Sequence, residues 1–494
     1  MFEYSSPQEH RLPATAGSAA VYGWVEVLAE SDPAGQVTPA LAEDAELIDR
    51  IRALEELKAA ASAAQARAAV AFDASQRRKQ AAAGVPREDL GRGVASQIAL
   101  ARRESANRGG RLLGFAKALV SEMPCTLQAL TSGTISEWRA TLLVRETACL
   151  TLEDRQRVDE EAAGDPRVLE GLGDRQIIAR ARSAAYRLDP QSAVRRAAKA
   201  ASERFVSCRP APDTMTYLTG LLPVAQGVGV YAALSREADR LRAAGDARGR
   251  GQIMADTLVE RITGEADANG MKVEVQLVMS DRTLLAGDSE PAIVAGYGPV
   301  PAQWARDLVR GTSLAGKSSR TRRERETAGT EEKQAERWIK RLYAEPATGQ
   351  LIAMDSRSRL FPKSLARFVA ARDQTCRMPW CGAPIRHTDH IRPRKRGGPT
   401  SAANGQGLCE ACNQAKEAPG WKTRVADEPG SHTVLGSHTV LGSHTVLGSH
   451  TVETTTPTGH RYRSTAPPLP GSGGGEHQPT GTLEVGITDL VWAA

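Results

Sequence analysis

Nowhere in the 494 residues is there a run of roughly 18 apolar residues, so no helix of this sequence can span a membrane. The opening stretch, MFEYSSPQEHRLPATAG, lacks the basic-then-apolar order of a secretory signal. A cytoplasmic protein is therefore expected. Aromatic residues are few, at 4%, although the apolar content of 41% is ordinary. Alanine, arginine and glycine dominate, which favours helices broken by loops. The length exceeds what one core supports, and several domains are expected. Cysteine is scarce too, with seven in all. Cys125, Cys149 and Cys208 are scattered and read as reduced, small apolar residues. The other four crowd between 376 and 412.

Charge of one sign is barely in excess: 64 Lys and Arg against 58 Asp and Glu give +6. Nine basic and three acidic residues fall between Cys376 and Arg424, which leaves 55 of each sign elsewhere. The whole formal excess lies in the cysteine segment, where a polyanion is the natural partner.

Along the chain, residues 1–40 read as a flexible leader. From 41 to 203 the text is helical. Leu47, Ile51, Leu54, Leu57, Ala61 and Ala64 recur at steps of three and four, which predicts one buried face. Ser136 is positioned to cap a helix, and Thr151 with Asp154 has capping-box spacing. A small α+β domain is expected over 204–315, with a strand in MKVEVQLVMS, followed by a charged linker at 316–335. A module at 336–424 is expected to open with a hairpin across Pro346–Gly349 and a helix starting near Pro362. The tail, 425–494, reads as low-complexity and disordered. It holds GSHTVL at 430, 436 and 442 and GSHTVE at 448, a pattern of tandem expansion better than of a β-solenoid or a metal strip.

Cys376-x4-Cys381 and Cys409-x2-Cys412 make two thiolate pairs separated by 27 residues. Two such pairs complete a tetrahedron about Zn²⁺, and in a reducing compartment disulfides explain them less well. With four Cys ligands no coordination position is left for a substrate, so this zinc is expected to be structural. Between the pairs, Asp389-His390-Ile391 alternates as a short strand would. A basic loop with glycine follows, then a second element containing Asn404, and a short helix after Cys412. His387 is expected at the surface, and Trp380 and Trp421 around the zinc knuckle.

The cysteine pairs, DHIRP, Gly397-Gly398, Asn404, Asn413 and Lys416 together resemble the zinc-stapled branch of the HNH nuclease family. GVPREDLGRGVASQIALARRES and ISEWRATLLVRETACL resemble a large actinobacterial family that places a domain of unknown function before an HNH module. The fold class is accordingly mainly α, with the α+β middle domain and a C-terminal zinc-stapled ββα-metal module. The first resemblance implies metal-dependent cleavage of DNA phosphodiesters. His390 would be the general base, and Asp389 and Asn413 would hold catalytic Mg²⁺ or Mn²⁺. Asn404 would orient His390, while Arg392, Arg394, Lys395, Arg396 and Lys416 would grip phosphates. The chemistry of the residues agrees. A carboxylate suits a hard cation, and a neutral imidazole takes a proton from water near physiological pH. Asn413 stands where many members carry His, which favours hard cations over soft ones. The rival reading is a non-catalytic zinc module that binds nucleic acid. It needs the same cysteines and charge, but not Asp389, His390 and Asn413 together. Neither the target sequence nor the oligomeric state is legible.

Overall fold

The computed structural model describes residues 17–30, 44–264, 275–310, 336–343, 360–426, 450–467 and 484–491. Among the described residues nine α-helices come first: α1 (Ser18–Glu30), α2 (Asp44–Ala82), α3 (Val94–Ala101), α4 (Ala106–Glu122), α5 (Pro124–Thr131), α6 (Glu137–Glu146), α7 (Leu152–Ala163), α8 (Asp174–Leu188) and α9 (Pro190–Ser202). α1 lies within the segment read as a flexible leader, because no proline interrupts the chain between Pro13 and Pro33.

The bundle core is built on alanine. Ala59, Ala63 and Ala66 of α2 pack with Ala116, Leu119, Leu130, Leu143, Ile177 and Ala181. This corrects the face expected for α2. Leu47, Ile51, Leu54 and Leu57 are exposed, because the small side chains are what let α2 approach its neighbours closely. The caps form as expected. Ser136 Oγ accepts from Arg139 N at 3.4 Å, and Thr151 Oγ1 accepts from Asp154 N at 3.2 Å. The buried Asp159 of α7 adds a cap that sequence did not announce. Its carboxylate accepts from Cys125 N at 2.7 Å and Thr126 N at 2.9 Å at the start of α5.

The middle region is α+β. β1 (Phe205–Ala211) and β2 (Met215–Leu221) form an antiparallel hairpin, followed by α10 (Val224–Ala243) and α11 (Arg250–Thr263). β3 (Val275–Ser280), β4 (Ala292–Val294) and β5 (Gly298–Val300) precede α12 (Ala302–Arg310) and β6 (Glu336–Tyr343). The linker at 316–335 and the turn at 346–349 lie outside the described residues.

The third region holds α13 (Lys363–Asp373), β7 (His387–His390), β8 (Gly405–Leu408), α14 (Glu410–Lys416) and β9 (Lys422–Val425). Two further strands, β10 (Thr451–Thr455) and β11 (Arg461–Thr465), build the sheet β11–β10–β9. β12 (Glu484–Val491) lies between β3 and β6 in the sheet β5–β4–β3–β12–β6. The tail therefore carries strands where disorder was expected. The reason is long-range. Val452 is buried, and Glu453 accepts from Arg424 at 2.9 Å and Arg463 at 3.1 Å. The last hexad, at 448, runs into β10, and most of the hexad repeat lies outside the described residues.

Candidate functional site

The four clustered cysteines converge. Their sulfurs all lie within 4.8 Å of one another, with Cys381 to Cys409 at 3.7 Å and Cys381 to Cys412 at 3.6 Å. A tetrahedron with Zn–S bonds of about 2.3 Å has edges of about 3.8 Å, so the donor set fits zinc. Hydrogen bonds from the Cys376 and Cys412 thiols lower the pKa of Cys381 from the usual thiol value. The cluster is roofed by apolar side chains. Met378, Leu408, Ala418 and Trp421 surround it, and Leu100 of α3 reaches in from the helical bundle. Trp421 is buried as expected, whereas Trp380 is half exposed and meets Tyr462 edge-on at 5.7 Å.

β7 and β8 pair antiparallel with Asp389 opposite Gln406 and His390 opposite Gly405. α14 follows directly, giving the ββα order. Asp389 Oδ2 accepts from Gln406 Nε2 at 3.5 Å and from Lys416 Nζ. Lys416 Nζ also donates to His390 O at 2.7 Å. Its side chain is 4% exposed, which corrects its expected place on the phosphate-gripping surface. α14 turns it inward, where a buried ammonium needs a carboxylate partner.

His390 Nε2 shares a hydrogen bond of 2.9 Å with Thr400 Oγ1, and the ring lies 4.5 Å from that of Phe361. Burial, with Lys416 and Arg394 nearby, lowers its pKa below the ordinary histidine value despite Asp389. The imidazole is thus neutral near physiological pH.

Asn404 is buried and clamps the loop between the strands. Its Oδ1 accepts from Arg392 N at 2.8 Å, and its Nδ2 donates to Arg392 O at 3.0 Å and Pro399 O at 2.7 Å. It acts on the backbone, as a positioning group. Gly398 completes the clamp, since a Cβ there would lie 1.8 Å from Arg392 O and 2.9 Å from Asn404 Nδ2. Arg392, Arg394, Lys395 and Arg396 are exposed together on this loop. His387 is exposed at the far end of β7.

Asn413 lies one turn before Lys416, on the same side of α14. Its Oδ1 is buried and has no hydrogen-bond partner among the described residues. A buried amide oxygen left so is costly unless something outside the chain engages it. An amide oxygen and a carboxylate such as that of Asp389 are donor types that suit a hard divalent cation.

Thr400, Gln406 and Phe361 were not picked from the sequence. Thr400 follows Gly397-Gly398-Pro399, a weak signal. Phe361 is far from His390 in the chain and left none.

Residues 376–418 match the HNH endonuclease family, and residues 51–338 match the domain of unknown function (DUF222). No curated protein and no solved structure matches the chain significantly.

Proposed function

Because this chain belongs to the family of the domain of unknown function (DUF222) and carries an HNH endonuclease module behind it, we propose that it is a metal-dependent endonuclease acting on DNA. One observation carries the reading. β7 carries Asp389 and His390, whose pKa burial lowers, and α14, which packs against β7, carries Asn413, whose buried Oδ1 has no hydrogen-bond partner among the described residues.

The residues divide the work. Thr400 engages one ring nitrogen of His390, which leaves Nδ1 to take a proton from the attacking water. Phe361 stops the ring from turning. Asn404 fixes the loop, and Arg392, Arg394, Lys395 and Arg396 hold the phosphate backbone without reading sequence. Asp389 and Asn413 would hold Mg²⁺ or Mn²⁺, which supplies neutralisation of the charge on the scissile phosphate. Lys416 holds the Asp389 carboxylate in place through Oδ2. The four cysteines would hold structural Zn²⁺ and take no part in the reaction.

Supercoiled plasmid incubated with Mg²⁺ or Mn²⁺ tests this. The parent is expected to nick or cut, and His390→Ala to lose on the order of a hundredfold or more. Equal cutting by both removes His390 as the base. Tight DNA binding without any cutting favours the rival, a zinc-stabilised nucleic-acid-binding module.

A further inference from the structure

The α3–α4 pair carries features that the nuclease reading leaves unused. Eight residues of α3 and seventeen of α4 are joined by four, Arg102 to Ser105. The turn is closed by its own backbone, with Arg102 N donating to Ile98 O at 3.0 Å and Glu104 N to Ala99 O at 2.8 Å. Arg103 adopts the left-handed conformation at φ 57°. Ser105 Oγ then caps α4 by accepting from Arg108 N at 3.3 Å. Gly109 sits where the helices cross. A Cβ there would lie 2.4 Å from Ala95 O and 2.6 Å from Ala99 Cβ. On the underside Val94, Ile98 and Leu113 pack against Phe72 of α2.

The outer side of this unit is polar and open. Asn107, Arg108, Gly110, Arg111 and Gly114 of α4 are exposed, and so is Arg103 of the turn. Between 102 and 111 four arginines face one acid, Glu104. Arg102 is paired with Glu137 and Arg108 with Glu104. Among the described residues no ion pair holds Arg103 or Arg111.

We propose that α3, its turn and α4 form a helix-turn-helix that lays the N-terminal half of α4 in the major groove of double-stranded DNA. Two helices joined by three or four residues, the second with exposed N-terminal polar groups, are what that docking requires. Arginine suits the guanine edge and asparagine the adenine edge. Gly110 and Gly114 let the helix backbone approach the groove wall. The deep, narrow major groove of duplex RNA does not admit a helix in this way. The unit is also fixed beside the nuclease module. Leu100 and Ala106 pack into the cluster around Cys376 and Cys412, and Thr458 Oγ1 donates to Gln97 Oε1 at 3.2 Å. The helical domain thereby reads a sequence and holds the HNH module at a set place beside it. This deepens the endonuclease reading, on which the identity of the substrate rests.

The test uses the full-length protein in buffer without Mg²⁺ or Mn²⁺ and without chelator, so that zinc stays and DNA is not cut. Duplexes are selected from a random pool, and binding of the selected sequence is followed by fluorescence anisotropy at several salt concentrations. The parent is expected to enrich a common sequence, and Asn107→Ala to relax the preference at one position. The triple variant Arg103→Ala/Arg108→Ala/Arg111→Ala is expected to bind at least about tenfold more weakly, with a salt slope shallower by roughly two to three. The substituted side chains are exposed, and an unchanged melting curve confirms that the variants fold. Enrichment of no sequence, an unchanged affinity in the triple variant, or equal competition by duplex RNA overturns the proposal. A protein that never cuts but whose DNA binding needs these arginines keeps the reader and loses the nuclease. A protein whose cutting depends on His390 but whose binding ignores them does the reverse.

Discussion

At Cys409 one sulfur decides whether the C-terminal module has a core. The module is small, and Met378, Leu408, Ala418 and Trp421 are gathered around its four thiols. Structural zinc contributes on the order of 10 kcal/mol to the folding of such modules, more than the apolar contacts of a few side chains. Cys409→Ser is therefore expected to abolish bound zinc and to unfold the region around residues 376–418, while the helices of 44–188 keep their signal. Metal analysis together with limited proteolysis checks this, and an unchanged zinc content refutes it. Lys416 marks the limit of reading residues singly. The family resemblance implied a surface grip on phosphate for it. Only the approach of β7 shows that the ammonium is spent on Asp389.

The hairpin of β10 and β11 is an element held by buried polar groups. Arg377 Nη2 donates to His450 O at 2.8 Å and to Ser464 O at 2.5 Å, and His450 Nε2 bonds Ala403 O at 2.9 Å. Burial, followed by the nearby Arg372 and Arg377, pushes the His450 imidazole down to about 4 from an ordinary 6.5. Above 6.5 the folded and unfolded chains both leave it neutral, and it adds no slope to stability. Between 6.5 and about 4 the unfolded chain binds a proton that the folded chain refuses. Stability therefore falls as the pH falls through that window, by up to about 3 kcal/mol. Denaturant midpoints at pH 7 and pH 4.5 are expected to differ less in His450→Gln than in the parent. Equal differences would place the acid sensitivity elsewhere. This element was illegible as sequence because exact repetition pointed to expansion, whereas the partners of its last copy, Arg377, Ala403 and Arg424, lie far back in the chain.

For the whole molecule, the contact between α3 and the four-cysteine cluster matters most. Leu100 is buried against Cys376, Leu408 and Trp421. A charge at that position would be buried without a partner, at a cost of several kcal/mol. Leu100→Asp is expected to detach the module from the helical bundle. Proteolysis should then release a C-terminal fragment that still holds zinc. Unchanged protease resistance would mean that other contacts join the two parts.

By itself the sequence determined the helices of the bundle, the ββα order and the four-cysteine set. Helical periodicity, caps and cysteine spacing act over a few residues, so they survive in the text. The ββα order and the four-cysteine cluster were legible for that reason, as were the exposed arginines of the 392–396 loop. Tertiary structure alone decided the pairings: which face of α2 is buried, that Lys416 turns inward to Asp389, that Asn413 Oδ1 has no partner among the described residues, and that α3 roofs the four-cysteine cluster. Each of these depends on which distant surface comes to rest against a residue, and no local pattern encodes that.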